Sequence, residues 1–426
     1  MMKSLWLGLI GWGFIAWGCD TPSTIDPPED SFFVKFYGNE GNQEGVDAVL
    51  NPDGTITMFG TTEELDKGKQ LYLVNILPNG TINWERQYGT EKNEIAKDIE
   101  LTGDGRLALV ADIENTPTEH DILVMTLALD GTVIASDTIK FMNGTTPTDE
   151  TAHSITQISD GFIVAGSTNK LDLKPVGSGP LNDTRDALFV RFFDDLTLYP
   201  SVWKQGYGPG AFDEAIKVIE VSPSQYYLFA NTDTPDKNGD INFHVLGLSS
   251  TGQGNSANDF FPGKLSGSNE VMSSVAISPI QSGDGYLLAG VSQIPGSSTD
   301  VYIVKLKKDL NFNDTDIQFQ KGLAVNLGNV PQAKVSAIAS SGSGFLILAN
   351  EKLTGVQNFY LTKIDNGGFP VWGSPVVFGG EKDDRIGSIL ELPDGSIGII
   401  GTFAIGQDGE TKMTFIKVNK EGKFSK

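Results

Sequence analysis

Six acidic residues stand at matching places along this 426-residue chain: Glu44, Glu94, Glu150, Glu214, Glu270 and Asp384. Each lies five positions before an aliphatic residue, in turn Val49, Ile99, Ile155, Ile219, Val275 and Ile389. A further place, five before Ile338, holds Ala333, and the steps between successive places are 50, 56, 64, 56, 63 and 51 residues. Carboxylates gathered on one rim could hold Ca²⁺, a hard cation that takes oxygen ligands, or a cationic group of a partner. Two of them facing each other across a cleft could work as general acid and base. The plainer use is that each carboxylate accepts backbone N–H groups and pins a turn. Repetition in six places favours that structural job over a catalytic pair. No cofactor is expected, and Ca²⁺ at the rim is the metal the pattern suggests.

Other candidates are local. The longest insertion, "NKLDLKPVGSGPLNDTR" from Asn169 to Arg185, offers Asn169, Lys170, Asp172, Lys174, Asn182, Asp183 and Arg185. A long loop on a rigid scaffold is a common place for binding, although many such insertions are only tolerated surface. "DKNGDIN" (236–242) has acids and amides at alternate positions. It puts Ile241 where a calcium loop needs glycine, so it reads better as a hairpin. His120, His153 and His244 have no metal-ligand spacing, and no HExxH, nucleophile elbow or phosphate-binding glycine loop occurs. Trp84, Trp203 and Trp372 read as packing residues of outer strands.

The bulk numbers narrow the class. The net charge of −23 argues against nucleic acid or an anionic membrane surface as a partner, because both need clustered Lys and Arg. Glycine, at 50 residues, is in excess and signals many tight turns. The sole cysteine, Cys19, rules out an internal disulfide. It closes "MMKSLWLGLIGWGFIAWGC", where Lys3 precedes a short apolar run that ends in small residues. That pattern predicts a signal peptide over 1–18 and lipidation of Cys19. Residues 19–30, "CDTPSTIDPPED", then form an acidic, Pro-rich tether.

The elements that must position the acids repeat seven times. Each unit has an apolar segment, a Gly- or Asp-rich turn, and a second segment such as "GRLALVADI" (105–113) or "GSIGIIGTF" (395–403). A third follows, such as "DVYIVKLK" (300–307), and often an aromatic fourth, such as "INWERQYG" (82–89). Turns such as "TGDG" and "LPDG" are strong hairpin signals. The first unit is preceded by a lone strand, "SFFVKFYG", that ends like a fourth segment, and the seventh unit runs out without one. The prediction is an all-β, seven-bladed β-propeller over 31–426. Its blades are four-stranded, and strand 31–36 completes the last blade and closes the ring. The acids would then lie near the start of each inner strand, on the face carrying the inter-blade loops.

"YGTEKNEIAKDIELTGDGRLALVADI" and "VFGGEKDDRIGSILELPDGSIGIIGTF" resemble the propeller repeats of secreted bacterial and archaeal proteins, whose pattern runs Tyr-Gly-Gly, an acid, Ala, an aliphatic, Asp-Gly-Gly and Gly-Thr. With a lipidated cysteine, the resemblance implies an envelope protein of Bacteroidetes type. It carries no agreed activity, so no catalytic residue transfers. The expected role is a non-catalytic, lipid-anchored platform at the outer membrane, facing the periplasm or the exterior. It would bind an envelope protein or a polysaccharide through the inter-blade loop face. The alternative is a glycan-active hydrolase or lyase with carboxylates at the channel mouth.

Overall fold

The computed structural model describes residues 32–424, apart from 65–66, 171–172, 176–184, 201–202, 209–211, 234–238, 279–284, 294–298, 326, 329–332, 354 and 406–408. The signal and tether, with Cys19, lie outside the described residues, as do Asp172, Asn182 and Asp183 of the insertion. Among the described residues no helix is long and apolar enough to cross a membrane.

Strands that read as alternating or continuous apolar segments form seven antiparallel sheets, each the blade of a β-propeller. Asp-Gly turns join the strands; Gly105 and Gly395 take φ of 81° and 79°, a conformation that side chains disfavour. The first strands face the central channel: Gln43–Leu50, Asn93–Leu101, Glu150–Ile158, Asp213–Ser222, Asn269–Ser278, Val335–Ala339 and Arg385–Glu391. Blades pack face to face through seven apolar clusters. One of them joins Tyr286, Leu288 and Val304 of blade five to Tyr227 and Phe229 of blade four.

The ring closes as the lone strand foretold. Phe33–Tyr37 pairs antiparallel with Glu410–Val418, placing Phe33 opposite Lys417 and Tyr37 opposite Met413. Phe33 and Tyr37 are buried between blades seven and one, and the Tyr37 hydroxyl donates to the Gly80 carbonyl at 2.9 Å. Blade seven is thus built from both ends of the chain, and no sheet edge of an open array is left bare.

Within the insertion of blade three, Lys174–Pro175 pairs parallel with Gln205 and Gly206, outside the fourth strand Lys204–Tyr207, and adds a short fifth strand to the outer edge of that blade.

Candidate functional site

Six of the seven inner strands carry a β-bulge at an equivalent point. The unpaired residues are Val46, Lys97, His153, Ile216, Ser273 and Gly387. A bulge inserts one residue and re-aims its neighbours, and bulges gather next to functional sites. All six extra residues line a cavity of about 580 Å³ in the central channel. Blade six lacks the bulge, and Lys334 to Ile338 complete the wall there.

The bulge fixes the true register of the acids. Counted from it, Glu94, Glu150, Glu270 and Asp384 occupy one place. All four are buried, and each holds the turn that enters its blade. Glu94 accepts Thr90 N–H at 3.0 Å, Asp384 accepts Gly380 N–H at 3.1 Å, and Glu270 accepts Leu265 N–H at 3.1 Å. Glu150 takes the longer 3.4 Å bond of Phe141 N–H and the Thr168 hydroxyl at 2.8 Å. Burial drives these groups up, Glu270 to about 7 and Asp384 to about 6, and drives Glu94 and Glu150 in the same direction.

Glu44 and Glu214 do not belong to that set. In blades one and four the equivalent residues are Gln43 and Asp213, both buried, and the two glutamates stand one position later. A slip of one residue turns a strand side chain to the opposite face, so Glu214 reaches the channel cavity and Glu44 a pocket beside Arg385 and Thr411. The expected acidic rim of six is therefore a set of buried turn anchors plus two displaced glutamates, and both of these are paired with cations. Glu44 pairs with Arg385 of blade seven. Glu214 accepts Arg185 at 2.7 Å and meets His153 Nε2 at 2.6 Å. Burial would raise Glu214, but His153 and Arg185 outweigh it and hold the group down at about 2. Arg185 also donates to Ser167 at 3.0 Å and to Thr151 at 3.2 Å, so the end of the insertion is fastened across blades three and four. Asn169 accepts Asp149 N–H at 2.9 Å, and Lys170 Nζ donates to the Met142 carbonyl, fastening its start.

Sequence spacing missed a second ring deeper in the channel. One residue past the bulge, Asp47, Asp98, Ser274 and Ser388 each accept a backbone N–H of the next inner strand. The donors are Ile99 (3.3 Å), Ile155 (2.9 Å), Ala337 (3.3 Å) and Ala48 (3.1 Å). The mixture of acids and serines hid the pattern; only the common position betrays it. Asp98 and Asp47 face the same part of the chamber, and burial first, then the charge of Asp47, push Asp98 well above the usual carboxylate range. Two lysines complete the chamber. Lys334 Nζ reaches the Val46 carbonyl at 3.1 Å, and burial pushes its ammonium down. Lys217 lies close enough to Asp98 and Glu100 to favour their ionised forms. Lys97 faces the channel but is tied at 2.7 Å to Asp112, which also accepts Ala152 N–H at 2.8 Å. Among the described residues no three His, Cys, Asp or Glu side chains gather as a metal-holding group.

The arrangement is a polar chamber with lysines and carboxyls toward blades one, two, four and six, and serine hydroxyls toward blades five to seven. Among the described residues no Phe, Tyr or Trp lines it. Trp203 is buried between blades three and four, edge-on to Phe189 and Tyr226, and serves packing as its sequence context indicated.

No family model and no curated protein matches this chain. Solved structures match its fold. The extracellular domains 1–2 of Drosophila Semaphorin 1a align over 91% of this chain and 88% of theirs, at 10% identity and a TM-score of 0.50. The Penicillium chrysogenum alpha-L-arabinanase complexed with arabinobiose aligns over 77% and 94%, at 12% identity and a TM-score of 0.50. At such identities the likeness is one of fold, and a fold hosts unrelated functions. One of these neighbours is a glycan-cleaving enzyme, so architecture alone does not separate binding from catalysis.

Proposed function

We propose that this chain is a non-catalytic protein of the bacterial cell envelope, anchored by lipid on Cys19 and built of secreted-type propeller repeats. Its propeller binds a protein or a polysaccharide through the inter-blade loop face. The observation that carries the reading is the channel mouth on that face, where His153, Glu214 and Arg185 are locked together above a polar chamber. Fixed polar groups around a concave opening are what a ligand site requires.

The glycan-hydrolase alternative finds its carboxylates in Asp47 and Asp98. Burial beside Asp47 holds Asp98 well above the usual carboxylate range. Both also accept backbone N–H groups of the next strand, a structural duty. Binding is therefore favoured over hydrolysis.

In-cell crosslinking of the full chain, followed by purification and mass spectrometry, tests the proposal. A protein or glycan should be captured by wild type and lost from His153→Ala and Lys217→Ala variants that melt normally. Capture unchanged by both variants would refute the assignment to this face. Turnover of any glycan by wild type, abolished by Asp98→Asn, would replace binding with catalysis.

A further inference from the structure

Six of the thirteen large hydrophobic side chains exposed among the described residues belong to blades six and seven: Val34, Phe36, Phe369, Val371, Val377 and Phe424. Single exposed hydrophobics are ordinary, whereas a cluster marks an interaction surface. Two of them, Phe36 and Phe424, end an aromatic ladder that crosses the seam of the two blades, while Phe369 lies on the turn of blade six that faces Lys321 of blade five. Phe36 meets Phe403 at 5.9 Å, Phe403 stacks on Phe359 at 5.1 Å, Phe359 stands opposite Phe378, and Phe378 meets Phe424 at 5.6 Å. The buried half of the ladder is core. Its ends, Phe36 and Phe424, are about half exposed (50% and 47%), and Phe369 and Val371 protrude further, at 62% and 53%.

Two observations say what covers this face. The first is where the chain enters. Val34 and Phe36 sit on the closing strand itself, and only residues 20–32 separate that strand from Cys19. Thirteen residues span no more than about 45 Å at full extension, so a bilayer holding a lipid on Cys19 is kept on this side of the molecule. The second is chemistry. Lys321 of blade five, whose Nζ lies 4.2 Å over the Phe369 ring, flanks that turn, and exposed Lys420 and Lys423 stand beside Phe424 in the chain, with Glu421 next to Lys420. Aromatic side chains with lysines at their margin suit the boundary between headgroups and acyl chains.

We infer that the outer seam of blades six and seven rests on the lipid bilayer. This inference depends on the lipid-anchor reading above, and it adds an orientation. The third strand of every blade runs away from the inter-blade loop face, and the tether joins blade seven beside the far end of its third strand, next to Lys417. The candidate ligand face therefore lies at the opposite end of the strands from the point where the tether enters.

The test uses the full lipidated chain in vesicles of phosphatidylethanolamine and phosphatidylglycerol. A dye sensitive to polarity is attached at Phe424→Cys, at Phe369→Cys, or at Thr118→Cys, an exposed control on the loop face. A lipid on Cys19 leaves the introduced thiol as the only reactive one. The expected result is co-flotation with vesicles, at least twofold quenching by brominated lipid at 424 and 369, and none at 118. Flotation with equal or absent quenching at 424 and 118 overturns the docking face but not the anchor. Failure to float overturns the anchor and the docking face together. A detergent-solubilised dimer that Phe424→Asp converts to monomer, with no quenching in vesicles, assigns the face to a second copy instead.

Discussion

The register of the acids can be tested by stability. Glu94 is fully buried and accepts three hydrogen bonds, from Thr90 N–H (3.0 Å), the Thr90 hydroxyl (2.6 Å) and Gln70 Nε2 (3.1 Å). Glu94→Ala removes all three and leaves a small void. Thr90 is exposed and recovers water, and Gln70 keeps backbone acceptors at Thr90 and Lys92. Relief of the buried charge offsets part of the loss. At about 1 kcal/mol net per bond, the expected cost is about 2 kcal/mol. Gln43, the true counterpart in blade one, should behave alike, because it too is buried and bonds the Glu40 carbonyl (3.2 Å) and Thr62 (3.3 Å). Glu44 is different. Its partner Arg385 is 55% exposed on the side chain and Glu44 itself 37%, so Glu44→Ala should cost only about 0–1 kcal/mol. Urea unfolding of the three variants, followed by tryptophan fluorescence, gives the ranking. If Glu44→Ala loses as much as Glu94→Ala while Gln43→Ala loses nothing, the bulge is the wrong reference and the spacing count is right.

Three further outcomes follow from the same geometry. Glu270 has a folded pKa of about 7, above its ordinary value, so it lowers stability as pH rises through that range. Glu270→Gln should match wild type near pH 4.5 and exceed it by about 1–2 kcal/mol at pH 8, after allowance for solvent screening; equal curves at both pH values would contradict this. Glu214 is the opposite case, held at about 2 in the fold. Its contribution is present above the ordinary glutamate pKa and lost as pH falls toward 2, so the penalty of Glu214→Gln should be full at pH 7 and shrink below pH 4, and a pH-independent penalty would refute it. Phe33→Ala should cost about 3 kcal/mol, because Phe33 is buried where the ring closes; a melting temperature unchanged in calorimetry would mean the closing strand carries little of the fold.

The architecture was legible because its signals are local. Asp-Gly turns, alternation and small residues at strand ends are read within a few positions, and the lone "SFFVKFYG" explains itself once the seventh unit is seen to end at its third strand, "KMTFIKVN". The site was less legible. In blades one and four two apolar residues adjoin, Ala48 with Val49 and Val218 with Ile219. Counting back from the larger one moved the register by a residue and exchanged Gln43 for Glu44 and Asp213 for Glu214. Bulges leave no composition signal, because Val46, Lys97, His153, Ile216, Ser273 and Gly387 share no chemistry. His153 and Glu214 are 61 residues apart, and only the pairing of blades three and four brings them together.

Closure by both chain ends also sets an order of events. The strand Phe33–Tyr37 precedes every other strand, and its partner Glu410–Val418 belongs to the seventh unit. Until that partner is made, its backbone donors lack a ladder and its two aromatics have only blade one to lie against. Blades one to six can each form from neighbouring sequence, but blade seven waits for Glu410–Val418. A product cut short before that strand therefore carries an unpaired Phe33–Tyr37, with the blade-seven side of both rings uncovered, and is marked as incomplete by the surface it shows.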